Sequence, residues 1–99
     1  MNNTKQASGK YLIYQGKPLV RENNIICYGN MTDRYILCLM ILTNKVVNGV
    51  ELPERIIIQV LSTDEKKLPN ERIVKQGEKN GLFDAFDIGL VWLERALNS

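Results

Sequence analysis

The chain contains no histidine and only two cysteines among its 99 residues. Histidine is the usual general base near neutral pH and the commonest transition-metal ligand, so its absence excludes Ser–His–Asp and Cys–His catalytic arrangements within one chain. Two cysteines cannot supply the four ligands of a structural zinc site. The glycine patterns that cradle phosphate groups, Gly-x-Gly-x-x-Gly and Gly-x-x-x-x-Gly-Lys-Ser/Thr, are also missing. We therefore expect no cofactor and no metal site, and we favour a protein that is not an enzyme.

Long apolar runs are missing as well. No run approaches the ~18 apolar residues of a membrane-spanning helix, so we expect no membrane association. Residues 1–9 are polar and do not resemble a signal peptide, and we expect them to form a flexible tail before a single domain over residues 10–99. Without a secretory signal the protein is expected to be cytoplasmic, with Cys27 and Cys38 as buried free thiols rather than a disulfide.

The strongest positive signal is a long apolar hairpin. Two apolar runs, Tyr35–Leu42 and Ile56–Leu61, flank the dipeptide Asn48-Gly49. An Asn-Gly pair between β-rich runs is the strongest short-range hairpin signal, because both turn residues take a positive φ. A two-residue turn there fixes the register, in which the numbers of paired residues sum to 97.

Shorter β-rich segments and turn-prone pairs predict a simple antiparallel meander. The predicted strands are, in order, Lys10 to Tyr14, Lys17 to Glu22, Ile25 to Tyr28, Arg34 to Val47 and Val50 to Leu61. The fourth is expected to bend near Thr43-Asn44. Pro53 predicts an edge, a bulge or a break in the fifth, because proline has no N–H to donate to a ladder.

Two helices are predicted after the strands. The first is short, from Pro69 to Gln76, with proline in its first turn and Gly77 as its stop. The second runs from about Gly81 to Leu97 with Asn80 as its cap. Its apolar residues recur at the 3.6-residue period: Leu82, Phe86, Gly89, Leu90, Leu93, Ala96 and Leu97. The sequence therefore predicts an α+β fold, in which a meander of four to five strands, with its long Asn48-Gly49 hairpin, is packed by the C-terminal helix.

The hairpin register separates the side chains into two faces, because side chains alternate along a strand. The first, which we call the aliphatic face, is expected to take the C-terminal helix. It consists of Leu37, Leu39, Ile41, Ile56, Ile58 and Val60. The second, which we call the mixed face, consists of Ile36, Met40, Leu42, Arg55, Ile57, Gln59 and Leu61.

The mixed face is too apolar for a freely solvated surface and too polar for a sealed core. The sequence leaves three ways in which the mixed face could be covered: the sheet closes into a small barrel, residues 62–79 fold over the mixed face, or another chain packs against it. An exposed apolar patch that contains a few polar residues is typical of a surface that binds a partner. Two-fold self-association is the commonest kind of oligomer. The leading hypothesis is a non-catalytic protein-interaction module that forms a homodimer through the mixed face.

A nucleic-acid-binding surface is the first alternative. Tyr14, Lys17, Arg21 and Tyr28 share one face of the meander if its turns have two residues, and aromatic rings among cations can stack bases and hold phosphates. The net charge is only +2, with six basic and two acidic residues in residues 1–50 against seven and nine in residues 51–99. Because phosphate contacts supply most non-specific affinity, we expect no nucleic-acid partner.

An enzyme or ligand-binding subunit whose site forms between chains is the second alternative. Asp84 and Asp87 lie one helical turn apart on the C-terminal helix and could flank such a site. The same spacing is typical of the solvated flank of a helix, and Asp84 is favoured near the positive helix end.

Overall fold

A computed structural model describes residues 10–99, and the predicted flexible tail, residues 1–9, lies outside them. The chain forms an antiparallel sheet of six strands, a two-stranded ribbon and a C-terminal helix, which confirms the α+β prediction. The strands are β1 (Lys10–Tyr14), β2 (Lys17–Glu22), β3 (Ile25–Tyr28), β4 (Tyr35–Ile41), β5 (Asn44–Val47), β6 (Val50–Pro53), β7 (Arg55–Ser62) and β8 (Ile73–Asn80), and the helix is α1 (Leu82–Leu97).

The main sheet is a meander in the order β1-β2-β3-β4-β7-β8, and each neighbouring pair is antiparallel. Two-residue turns join its first three strands. Gln15, Gly16 and Asn23 in these turns have φ values of 50°, 80° and 55°, a region that glycine and asparagine enter at little cost. The first three strands have the bounds that the sequence predicts.

The long hairpin has the predicted register. Its pairs run from Tyr35 opposite Ser62 in β4–β7 to Val47 opposite Val50 in β5–β6, and the paired numbers sum to 97 throughout. The ladder is interrupted between β4 and β5 and again between β6 and β7, as the predicted bend and the proline require. The β5–β6 ribbon is therefore a separate two-stranded sheet at the end of the hairpin.

The helix predicted over Pro69 to Gln76 is wrong. Pro69–Glu71 forms a single 3₁₀ turn, and the following residues form β8, which pairs with β7. Without β8 the backbone of β7, which carries three of the ten residues of the buried core cluster, would be an unpaired edge. Gly77, the predicted stop of that helix, lies against Trp92 instead, since an added Cβ would be 2.8 Å from Cη2 of the ring. Tertiary pairing has overridden a local helix signal.

Helix α1 packs on the aliphatic face, as predicted. Gly81, rather than Asn80, takes the N-cap position. Every side chain of the aliphatic face is at most 4% exposed, and Leu93 on the helix is 3% exposed. At Gly89 an added Cβ would lie 2.7 Å from Cδ1 of Leu37, so the missing side chain lets the helix approach the sheet closely.

Cys27 and Cys38 form a disulfide, so the expectation of free thiols is wrong. The two residues lie directly opposite each other in β3 and β4, with their Cα atoms 4.2 Å apart. Opposite residues in a non-hydrogen-bonded antiparallel pair have Cα atoms about 4.5 Å apart and bring their side chains closest. The pairing could not be read from the sequence, because a six-residue loop rather than a two-residue turn sets the β3–β4 register.

Neither internal cover considered for the mixed face is present in residues 10–99. Strands β1 and β8 form opposite edges of the sheet, so it does not close into a barrel. Residues 73–80 extend the sheet sideways as β8 instead of folding over the mixed face, and residues 64–71, between β7 and β8, are all exposed. Since α1 packs on the aliphatic side, the mixed face is open within the described part of the chain.

Candidate functional site

The mixed face extends across the whole sheet. Register puts outward-facing residues of β1, β2, β3 and β8 beside those of β4 and β7. We call the combined surface the outer face; it comprises the mixed face together with Tyr11, Ile13, Pro18, Val20, Glu22, Ile25, Cys27, Cys38, Ile73, Gln76, Glu78 and Asn80. The seven mixed-face residues predicted from the sequence therefore lie together, in the half of this surface formed by β4 and β7 and its continuation at Leu42.

The apolar part of the outer face is exposed at several points. Met40 and Leu42 are 38% and 44% exposed, and Ile25, which lies opposite Met40, is 45% exposed. Strict alternation along β7 leaves Ile57 and Leu61 half-buried while their sequence neighbours are fully buried. This surface therefore carries contiguous apolar side chains that no described element covers.

Polar groups on the outer face are paired with one another. Gln59 Nε2 donates to Gln76 Oε1 at 2.6 Å across β7–β8. At the corner of the sheet, the Arg55 guanidinium donates to both carboxylate oxygens of Glu78, at 2.8 and 3.1 Å. This hydrogen-bonded pair lowers the pKa of Glu78 and raises that of Arg55. The side chains that would resist burial thus already satisfy each other.

The disulfide lies in the middle of the outer face. It joins the third and fourth of six strands, and the same row across the sheet continues through Val20 on one side and Gln59 on the other. Cys38 is 9% exposed. The centre of the surface is therefore a covalently fixed pair of cysteines between the apolar Val20 and the polar Gln59.

The β5–β6 ribbon adds exposed apolar side chains beyond the sheet. Val46 is 71% exposed and Val50 is 55% exposed. Nothing in the described part of the chain packs against them as core. Val46 pairs with Glu51 and Val50 pairs with Val47, so these two exposed valines lie on opposite faces of the ribbon.

The residues proposed for nucleic acid lie on the opposite, helix-bearing side of the sheet. Tyr28 is only 5% exposed and donates its hydroxyl hydrogen to the carbonyl oxygen of Tyr14 at 2.7 Å. The rings of Tyr14, Tyr28 and Phe86 pack edge to face with centroids 5.6 to 5.8 Å apart. Burial of Tyr28 raises its pKa. The Tyr28 ring is thus part of the packing under α1.

The cations of that set also have local partners. Lys17 Nζ lies 3.2 Å from a carboxylate oxygen of Asp33, and Arg21 Nε donates to the backbone carbonyl of Asn23. A cleft of about 340 Å³ opens nearby between α1 and the β1–β2 turn, lined by Lys17, Tyr28 and Glu94 among others.

The carboxylates Asp84 and Asp87 are both exposed on α1. Asp84 borders a shallow depression with Glu78, Lys79 and Asn80, and Asp87 does not line it. Within residues 10–99 no three His, Cys, Asp or Glu side chains come together in a way that would hold a metal ion. The two carboxylates do not form a joint site within this chain.

Sequence reasoning missed the part of the outer face that β1, β2 and β3 contribute. The signal was present, because the two-residue turns at Gln15-Gly16 and Asn23-Asn24 place Tyr11 and Val20 on the same side. What the sequence did not supply was the register between β3 and β4, which aligns this half with the hairpin.

No known family model, curated protein or solved structure matches the chain. Within the described residues, no helix is both long and apolar enough to cross a membrane. The functional argument therefore depends on the geometry of the outer face alone.

Proposed function

We propose that the protein is a non-catalytic interaction module that forms a homodimer by packing the outer faces of two copies against each other. The supporting observation is a six-stranded sheet with one face buried by α1 and the other face apolar and open. Sheets that pack face to face bury such surfaces in β-sandwiches. A second copy supplies the missing layer.

The size of the outer face suits a dimer. Six strands about 4.8 Å apart span roughly 29 Å, and strands of about four to eight residues rise about 3.3 Å per residue, so the footprint is on the order of 600 Å². The relief of the side chains raises the accessible area above that footprint. A standard interface buries about 800 Å² on each partner, which the accessible area of the whole outer face can supply.

The distribution of charge also suits self-association. Interfaces are depleted of charged residues at their centre and polar at their rim. The charged residues here are Arg55 and Glu78, which neutralise each other at one corner, and Glu22 at the end of β2. Two copies can therefore approach without opposing like charges across the centre.

The test is a double substitution at the middle of the outer face. Met40 and Ile57 lie opposite each other in β4–β7, so Met40→Lys with Ile57→Lys places two charges side by side in the proposed interface. Sedimentation equilibrium should show a folded protein with half of the wild-type mass. Phe83→Lys, at a residue 88% exposed on α1, is the matched control and should keep the wild-type mass.

Two outcomes would contradict the dimer. One is a wild-type chain that stays monomeric at its highest soluble concentration. The other is a double variant that unfolds, as followed by circular dichroism, because that result would identify the outer face as part of the core required for folding.

We also propose a cytoplasmic location, and the disulfide provides its test. Disulfides persist in oxidising compartments and are rare in the cytosol, so the Cys27–Cys38 disulfide would have to be reduced in this location. Because Cys38 is only 9% exposed, cells are quenched in acid and the unfolded protein is then alkylated, which should label both residues. A fully oxidised pair under these conditions would place the protein in an oxidising compartment instead.

A further inference from the structure

The first strand of the sheet is an apolar edge. Tyr11, Leu12 and Ile13 are 63%, 60% and 62% exposed, and alternation places them on both sides of β1. Among the described residues β1 pairs with β2 alone. An exposed apolar edge strand is a template for pairing with another strand.

The opposite edge of the sheet is protected. Strand β8 carries Lys75, Glu78 and Lys79, and its pairing with β7 has a register shift between Val60 and Leu61. Charges and bulges are devices that keep edges from pairing. Strand β1 has no bulge, and its one charged residue is Lys10 at its first position.

We propose that β1 is a second self-association site, at which it pairs antiparallel with β1 of another copy. This contact uses the sheet edge rather than the outer face, so it does not depend on the proposed outer-face dimer. It would join two six-stranded sheets into one continuous sheet.

The backbone of β1 is oriented for this pairing. Tyr14 and Lys17 flank a two-residue turn, and such flanking residues exchange both of their hydrogen bonds. The alternation of an antiparallel ladder then directs the N–H and C=O of Leu12 toward β2, and those of Tyr11 and Ile13 toward the free edge. Four backbone groups therefore face outward.

The strand is self-complementary in one register. A two-fold axis at Leu12 puts Tyr11 opposite Ile13 of the second copy, Leu12 opposite Leu12, and Lys10 opposite Tyr14. All five residues then have partners, and the outward groups of Tyr11 and Ile13 can make four N–H···O=C bonds. An axis moved to Ile13 would leave Lys10 beyond the pairing and set Tyr11 opposite the turn residue Gln15.

This register favours a second copy over an unrelated strand. A two-fold contact must match each residue with its symmetry mate, and here apolar residues meet apolar residues at the centre. The strand contains no acidic residue, and its one basic residue does not meet itself. A second copy therefore meets no opposed like charges in the pairing.

The test removes one outward N–H without touching the β1–β2 ladder. Ile13→Pro does so, and proline is tolerated in edge strands where its position makes no ladder bond. Sedimentation equilibrium should show that Ile13→Pro halves the assembly mass. Ile13→Thr, which keeps the N–H and the branched Cβ, is the matched control and should keep the wild-type mass.

Amide hydrogen exchange of the wild-type chain tests the same contact without a substitution. Exchange at Tyr11 and Ile13 should slow as the protein concentration rises, while Leu12, bonded to β2, stays protected at every concentration. Fast exchange at Tyr11 and Ile13 at all concentrations overturns the proposal, as does a wild-type mass for Ile13→Pro.

The two proposals fail separately. Met40→Lys with Ile57→Lys removes the outer-face contact and leaves the concentration dependence at Tyr11 and Ile13. Ile13→Pro removes the edge contact, and because Ile13 also belongs to the outer face, any loss of mass that Ile13→Thr shares with it is assigned to the outer-face contact. If both contacts form, the wild-type mass exceeds that of a dimer and each variant lowers it.

Discussion

At Gly89 the packing of the helix on the sheet depends on a single missing side chain. An added Cβ would lie 2.7 Å from Cδ1 of Leu37 and 3.3 Å from Cγ2 of Ile58. Both neighbours are fully buried in the aliphatic face, and a close-packed core offers little room for them to move. Glycine costs a helix about 1 kcal/mol relative to alanine, so the close contact is the physical reason for its place.

We predict that Gly89→Ala lowers the free energy of unfolding. Overpacking typically costs about 1–3 kcal/mol, which exceeds the ~1 kcal/mol that alanine adds in helix propensity, so the net loss should be roughly 1 kcal/mol. Urea unfolding followed by circular dichroism measures it. Asp87→Ala, at an exposed position of the same helix, should not destabilise. A more stable Gly89→Ala protein would show that Leu37 can move aside.

The Arg55–Glu78 pair gives the outer face a pH dependence. The hydrogen bond from Arg55 lowers the pKa of Glu78, so we predict that Glu78 titrates below the usual glutamate value of about 4.3. The stabilisation from this pair is present above the unfolded pKa and is lost as pH falls through the lowered folded-state pKa. Carboxyl NMR titration should show the Glu78 pKa rising in Arg55→Met and staying low in Arg95→Met. Equal values in the wild type and Arg55→Met would refute the pairing in solution.

The C-terminal helix is an integral layer of the domain at the scale of elements. Its side chains and the aliphatic face form one buried cluster, and Arg34 donates to the carbonyl oxygens of Leu97 and Ser99 at 2.9 and 3.3 Å. These contacts attach the last turn of α1 to the start of β4. The helix therefore closes the only face of the sheet that the chain covers in residues 10–99.

We predict that Leu93→Ala lowers the free energy of unfolding by about 2–5 kcal/mol, the usual loss for a buried leucine. Phe83→Ala, at an 88% exposed position of the same helix, should change it by less than about 0.5 kcal/mol. Thermal and urea unfolding of the two variants provide the comparison. A chain ending at Gly81 that still unfolds cooperatively would contradict an integral helix.

The disulfide ties β3 to β4 across a short loop. The two cysteines are 11 residues apart, and closing a loop of about 15 residues stabilises a protein by about 3 kcal/mol in the chain-entropy model. We therefore predict that reduction lowers the free energy of unfolding by roughly 2–3 kcal/mol while the β3–β4 ladder persists. Urea midpoints with and without dithiothreitol measure this loss. A Cys27→Ala, Cys38→Ala double variant should not respond to the reductant, and an unchanged wild-type midpoint would contradict the prediction.

The sequence predicted most of the elements because tight turns carry their own register. The Asn48-Gly49 turn alone fixes the register of eleven residue pairs of the hairpin, and the Gln15-Gly16 turn fixes that of β1 with β2. Strand β8 was not predicted, because Pro69 and Gly77 are typical helix boundaries and because an irregular loop separates β8 from its partner β7. The disulfide was not predicted either, because local signals do not specify the β3–β4 register across the loop at residues 29–34.

At the scale of the whole molecule, charge and burial both oppose nucleic-acid binding. The net charge is +2, Lys17 is paired with Asp33, and Tyr28 packs under α1. We predict no affinity tighter than about 10⁻⁵ M at physiological salt, the usual non-specific range. Fluorescence anisotropy with single-stranded and duplex DNA and RNA measures it. Sub-micromolar binding that weakens with salt and is lost in a folded Lys17→Glu, Arg21→Glu variant would reverse this conclusion.

The extent of the candidate site could be predicted only in part. The seven mixed-face residues follow from one turn and strict alternation, and they lie on one side of the sheet as expected. Whether that side was covered depended on where residues 62–79 fold and on whether the sheet closes, and neither is encoded in a local pattern. The exposed edge at β1 likewise emerges only when the order of all six strands is known.

The constant register of the long hairpin also has a consequence for the order of folding. Every pair from Val47–Val50 to Ile36–Leu61 can close in sequence from one turn, so each new pair closes only a small additional loop. Hairpins form in about 1–10 μs, whereas α1 must find the aliphatic face across a long stretch of chain. We expect the Asn48-Gly49 turn to nucleate the sheet and the helix to dock late. Substitutions in the turn should then slow refolding, while those on α1 should mainly speed unfolding.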